Sequence, residues 1–184
     1  LGTQMLAAHQ IAINLASLVF MVPMGLSFAV AVRVGGAAGA NNWKSAQRIG
    51  YGAMLMSLFF AAFFTVIFIV GRNFLPTLYI EDTDVVALAA QLILVAGIFQ
   101  FFDGLQVVSA GALRGLLDLK VPTIITFIAY WGLALPLGYI GGFKLDEKGV
   151  GVWMGLCLGL AFAALTLGWR FRFLSRRQVM GQGL

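Results

Sequence analysis

Asp103 is the one formal charge well inside a long apolar segment, residues 85–113. A carboxylate at bilayer depth costs on the order of 3 kcal/mol on insertion scales, so such a group faces a cavity, an ion path or a polar partner. Gln100 and Gln106 stand three residues before and after it, Ser109 follows three further on, and Phe99 lies four before. Residues three and four apart share a helix face. The spacing predicts a polar stripe with one acid at its centre. That acid has two chemistries open to it. It could bind and release a proton, or it could help carbonyl and hydroxyl oxygens hold a monovalent cation such as Na+. The bland alternative is a structural acid hydrogen-bonded between helices.

A second stripe is formed by Gln10, Asn14 and Ser17 at spacings of four and three, with His9 beside it. It suits either hydrogen bonds between helices or the lining of a cavity. A later segment adds Thr126, Tyr130 and Trp131. The candidate site is therefore Asp103 as the cation-coupling residue, with Gln10, Asn14, Phe99, Gln100, Gln106 and Tyr130 as cavity-lining residues. Enzyme chemistry has little to work with. One His and one Cys give no zinc cluster and no Cys–His pair, and there is no phosphate loop. No segment holds paired carboxylates, and the basic residues do not alternate with aromatics as in a nucleic-acid surface. The expectation is a non-enzyme with no cofactor beyond a coupling ion and no nucleic-acid partner. Cys157 has no disulfide partner and reads as a small packing residue.

The elements that must hold these residues are set by composition. Hydrophobic residues make up 61% of the 184 and charged residues 10%, and mean hydropathy is +0.96; a soluble domain carries roughly 25% charge. A helix needs roughly 20 apolar residues to cross a bilayer. Five segments qualify, at residues 5–32, 49–70, 85–113, 121–141 and 150–169. Their runs are continuous rather than alternating, which disfavours a β-barrel. The predicted fold class is an all-α integral membrane protein with five transmembrane helices and a basic tail over residues 170–184.

The connections sort by charge. One side carries Arg33, Lys44, Arg48, Arg114, Lys120, Arg170, Arg172, Arg176 and Arg177 with Asp118; the other carries Arg72, Lys144 and Lys148 beside Glu81, Asp82, Asp84, Asp146 and Glu147. The positive-inside rule makes the first side cytoplasmic. The C-terminal tail is then inside and the N-terminus outside. No basic stretch precedes the first apolar run, so no secretory leader is expected. A chain entering the membrane at once from outside reads as a piece of a longer protein whose earlier helices are missing.

Several local features bear on movement and packing. Pro23 lies mid-span and reads either as a hinge or as a static bend, and Pro136 has the same two readings with the static one favoured. The small-residue link at residues 35–42 is expected to be flexible, with Asn41 or Asn42 capping the next helix. Gly151, Gly155 and Gly159 repeat every four residues, and Gly111 with Gly115 and Gly138 with Gly142 share that spacing, a close-packing signal. Trp43, Tyr79, Trp153 and Trp169 near span ends suit an interfacial belt.

Three stretches resemble the C-terminal lobe of the multidrug and toxic compound extrusion (MATE) family. The first is residues 7–14 (AAHQIAIN), continuing through Phe20-Met21-Val22-Pro23-Met24-Gly25-Leu26-Ser27 to Val32-Arg33-Val34-Gly35. The second is residues 99–106 (FQFFDGLQ) followed by Gly111-Ala112-Leu113-Arg114-Gly115, and the third is Gly149-Val150-Gly151-Val152-Trp153. The resemblance covers nearly the whole chain in order. It implies part of a twelve-helix antiporter of two six-helix lobes, these spans being helices eight to twelve, that expels organic, often cationic compounds in exchange for Na+ or H+ by alternating access. It also implies an acid on the tenth helix that takes part in cation coupling, and Asp103 matches that position. The family's other frequent acid of this lobe lies on the seventh helix, outside this sequence. The implied setting is a plasma membrane, a bacterial inner membrane, with partners in the lipid bilayer and in the missing N-terminal helices. The alternatives are a lipid-linked sugar flippase of related architecture, a channel or assembly subunit and, third, a membrane enzyme.

Overall fold

A computed structural model describes residues 2–144 and 148–181. The expected outer-loop acids Asp146 and Glu147, and the last three residues of the expected tail, lie outside the described residues. Five helical spans run up and down: α1 (Thr3–Gly39), α2 (Trp43–Gly71), α3 (Thr83–Gly115), a fourth span (Lys120–Lys144) and α6 (Lys148–Gly181). All five are long and apolar enough to cross a membrane, and no strand occurs among the described residues. The fourth span is a composite. Helices α4 (Lys120–Phe127) and α5 (Leu135–Tyr139) are separated by a π-helical stretch at Ile128–Ala134, and a second such stretch closes the span at Ile140–Lys144.

Each helix starts and stops for chemical reasons. Asn42 Oδ1 accepts the Ser45 N–H at 3.1 Å and caps α2, and Asp82 accepts from Asp84 and Val85 to cap α3. Helix α1 ends in a Schellman turn: the Asn42 N–H reaches the Ala37 carbonyl, the Asn41 N–H reaches that of Ala38, and Asn41 sits at φ 56. Helix α3 ends the same way, with the Asp118 N–H on Leu113 and the Leu117 N–H on Arg114. There the left-handed position is held by Leu117 (φ 59), a residue with a Cβ to accommodate.

The central element is α3, which packs against α1, α2 and α6, while the fourth span lies against α6. Two hydrophobic cores result. One joins Leu15 and Val19 of α1 to Leu92 and Ala96 of α3 and to Trp153 of α6. The other joins Val34 of α1, Ala53 of α2, Val108 and Leu113 of α3, and Phe171 of α6. The level of Gln100 to Gly104 falls between them.

Small residues set the closest approaches. A Cβ on Gly115 would stand 2.6 Å from the Ala31 carbonyl oxygen, and one on Gly111 would collide with Ser27 of α1. Gly151, Gly155 and Gly159 bring α6 onto the backbone of the fourth span at Gly141, Gly138 and Ala134. The same packing corrects the expected flexible link: Gly35 to Gly39 are helical, because Gly35 faces the Gly115 carbonyl, 3.3 Å from where its Cβ would be, and small residues let α1 continue past its apolar segment. Residues from Arg170 onward, expected as a tail, continue α6. The Phe171 ring fills the space a Cβ at Gly50 would take, and buried Ser175 receives a hydrogen bond from Gln47 Nε2 at 3.3 Å. Trp153 is no interfacial anchor. It is 1% exposed, and its indole N–H donates to His9 Nδ1 at 3.1 Å. Trp169, by contrast, is exposed and stacks on Phe173.

Candidate functional site

Asp103 is half-buried on α3. Among the described residues, its carboxylate makes no hydrogen bond or ion pair. Successive residues on an α-helix turn by about 100°, so Gln106, Val107, Ala110 and Arg114 lie on its face to within about 60°. That face looks toward the fourth span. The charge of Asp103 reaches the phenol of Tyr130, and below this level Ala110 and Arg114 form one wall of a cleft of about 520 Å³. The other wall is Pro122, Thr123, Thr126, Phe127, Tyr130 and Trp131. At the mouth, Arg170 Nε of α6 donates to Asp118 Oδ2 at 2.5 Å, tying the α3–α4 turn to α6.

Tyr130 owes its place to the π-helical stretch. The Leu135 N–H bonds the Tyr130 carbonyl, five residues back. Pro136 follows directly and has no N–H to give the carbonyl of Gly132, and its ring crowds the preceding turn. A widened turn relieves that crowding and rotates the preceding residues. Such turns recur at functional sites. Gly155 and Gly159 of α6 lie against the backbone of this segment at Gly138, Ala134 and Ala129.

The predicted stripe on α3 divides. Steps of three residues fall about 60° short of a full turn each, so Gln100 and Ser109 are about 180° apart. Gln100 is 3% exposed, with no partner for Nε2. It lies between Gly97, whose carbonyl accepts from Thr65 of α2, and Gly104, which abuts Ser57 and Pro23. By rotation it stands about 60° from Asp103 on the side opposite Gln106. Ser109 is fully buried and also unpartnered. Phe99 is half-buried, edge-on to Trp153. Pro23 is buried inside an unbroken α1. On α1, Gln10 and Asn14 are exposed; Asn14 Oδ1 accepts the Tyr79 hydroxyl at 3.0 Å, and Ser17 bonds back to the Ile13 carbonyl. The structure thus brings Asp103 toward Tyr130, with Phe99, Gln100 and Gln106 within about 60° of the acid on α3, and leaves Gln10 and Asn14 elsewhere.

Chemically, the gathered pair offers one carboxylate and one phenol. No group of three or more His, Cys, Asp or Glu side chains capable of holding a metal occurs among the described residues. One acid among neutral oxygens suits a singly charged cation better than a divalent one.

A family model described as MatE matches residues 1–140. A probable multidrug resistance protein NorM of Xylella fastidiosa (strain Temecula1) is 42% identical over 180 residues, covering 98% of this chain and 38% of that protein. Its namesake in Xanthomonas campestris pv. campestris is 45% identical over 181 residues, covering 98% and 40%. The multidrug resistance protein NorM of Photobacterium profundum is 40% identical over 178 residues, covering 95% and 39%. The crystal structure of the eukaryotic MATE transporter AtDTX14 superposes with a TM-score of 0.86 at 22% identity, over 95% of this chain and 40% of that one. The chain spans about two fifths of the length of the curated relatives it matches.

Proposed function

The chain belongs to the MatE family, and on that footing we propose that it forms the Asp103-bearing portion of a two-lobed, cation-coupled multidrug efflux antiporter. The observation that carries the reading is Asp103 itself: a half-buried carboxylate without a protein partner, on an α3 face turned to Tyr130 and an open cleft. The names of the relatives support organic small molecules as cargo. The multi-pass bacterial inner membrane follows from those bacterial relatives and the apolar helices. The charge asymmetry supports a cytoplasmic C-terminus and an external start to α1.

The coupling rests on a difference between states. An ionised, unpaired carboxylate is costly to desolvate. It favours whichever lobe arrangement gives its face water or a cation. Binding Na+ or a proton removes that preference and permits the arrangement in which the face is covered. Cation and drug then act as reciprocally linked ligands of a two-state transporter. Pro23 packs at the same level of the bundle, against Gly104, and is the candidate compliant point of α1.

Dye efflux from cells carrying the intact transporter tests the reading, with wild type beside Asp103→Asn and with Na+ and pH varied separately. Loss of efflux in the variant at equal expression is expected, and the ion whose removal stops the wild type is the coupling ion. Normal pumping by Asp103→Asn would leave Asp103 a structural acid. A wild type that moves no dye under any gradient would overturn multidrug efflux and favour a flippase of related architecture.

A further inference from the structure

We propose that the cleft between α3 and the fourth span is the passage by which the coupling cation moves between Asp103 and the basic end of the bundle, with Thr123, Thr126 and Tyr130 as its oxygen rungs. The inference rests on the antiporter reading and adds a route to it. The cleft runs from the Asp118 turn to Tyr130, the residue that feels the Asp103 charge. On α3 the cleft wall ends at Ala110, which shares the Asp103 face and stands seven residues, about 10 Å, from it at 1.5 Å per residue. The cleft therefore leads from one end of the bundle toward the acid.

The rungs have the polarity a cation needs. Thr123 Oγ1 donates to the Leu119 carbonyl at 2.9 Å and Thr126 Oγ1 to the Pro122 carbonyl at 2.8 Å. Each hydroxyl proton is thereby turned back into its own helix, so each oxygen offers only lone pairs to the cleft. Lone pairs receive hydronium, water or Na+ and offer an anion nothing. Residues 123, 126 and 130 are three and four apart, so the rungs follow one helix face.

The charge of Asp118 is neutralised by Arg170, while Arg114 is exposed and lines the cleft. An ion at the mouth therefore passes one net positive charge before it meets the threonine oxygens.

The test uses the intact transporter in sealed inside-out vesicles, with Cys157→Ser as background. Thr126→Cys places a thiol in the cleft; Ile124→Cys places one on the exposed apolar side of the same helix turn. A charged, membrane-impermeant methanethiosulfonate is added at the basic end. Thiols ionise and react in water, so Thr126→Cys is expected to react at least about tenfold faster than Ile124→Cys. Modification should stop ion-driven dye efflux. Thr126→Val, which keeps the side-chain shape and removes only the oxygen, should slow it. Equal labelling of the two positions, or full ion-driven efflux after complete labelling at residue 126, overturns the passage. Absence of efflux from the wild type would instead overturn the antiporter reading, while the labelling contrast would still decide whether the cleft carries water.

Discussion

Replacing Gly155 by Val probes the contact that positions the candidate site. A Cβ at Gly155 would overlap the backbone N and Cα of Gly138 and lie 2.8 Å from the carbonyl carbon of Leu137. All three atoms are backbone, so no side chain can rotate away, and α6 and the fourth span must separate. Forcing methyl groups into such a contact costs on the order of 1–3 kcal/mol. Removing glycine from a helix interior returns about 0.4 kcal/mol. The net loss is about 2 kcal/mol. For a chain of 184 residues, each kcal/mol moves the midpoint by roughly 2–4 °C. The melting temperature in detergent, followed by thermal-shift size exclusion, should therefore fall by about 4–8 °C. The control is Gly25→Val, where an added Cβ meets nothing within 4 Å; its midpoint should stay within about 1 °C, as at other exposed sites. Equal shifts for the two variants would refute the reasoning that backbone contact through Gly155 seats the fourth span.

Two further predictions concern the turn at the mouth of the cleft. Leu117 holds a left-handed conformation that costs an L-residue roughly 1–2 kcal/mol, so Leu117→Gly should raise the melting temperature by about 1–3 °C after glycine's own entropic cost; a fall would show that the Leu117 side chain is needed there. Asp118→Asn removes the charge partner of Arg170, a pair 15% and 25% exposed, and should lower stability by about 1–2 kcal/mol, read as a fall of about 2–8 °C. An unchanged midpoint would mean the pair does not hold α6 to the turn.

The membrane architecture was legible because bilayer crossing is a matter of composition and length. Each predicted apolar segment lies inside one of the five helical spans. The glycine stripe of α6 was legible for the same reason: small residues every four positions can serve only a close neighbour. Helix lengths were not. Gly35–Gly39 and Arg170–Gly181 look like loop and tail, and they stay helical because Gly115, Gly50 and Gln47 on other elements receive them. The stripe around Asp103 winds around the helix, because steps of three fall short of a full turn: Gln100 and Gln106 flank the acid about 60° to either side, and Ser109 lies about 180° from Gln100. His9 and Trp153 are 144 residues apart, and no local pattern announces their bond. Tyr130 was visible as a polar aromatic in an apolar span, whereas its π-helical setting had no signature in the local pattern.

The most direct test of Asp103 as the coupling group is ion flux itself. The intact transporter, reconstituted into liposomes, would be followed for 22Na+ uptake and for internal pH while an organic cation is presented on the opposite side. The account predicts that one of the two ions moves with the drug in the wild type, and that Asp103→Asn abolishes drug-dependent ion movement while Gln10→Ala does not. Undiminished ion–drug exchange in Asp103→Asn would contradict it.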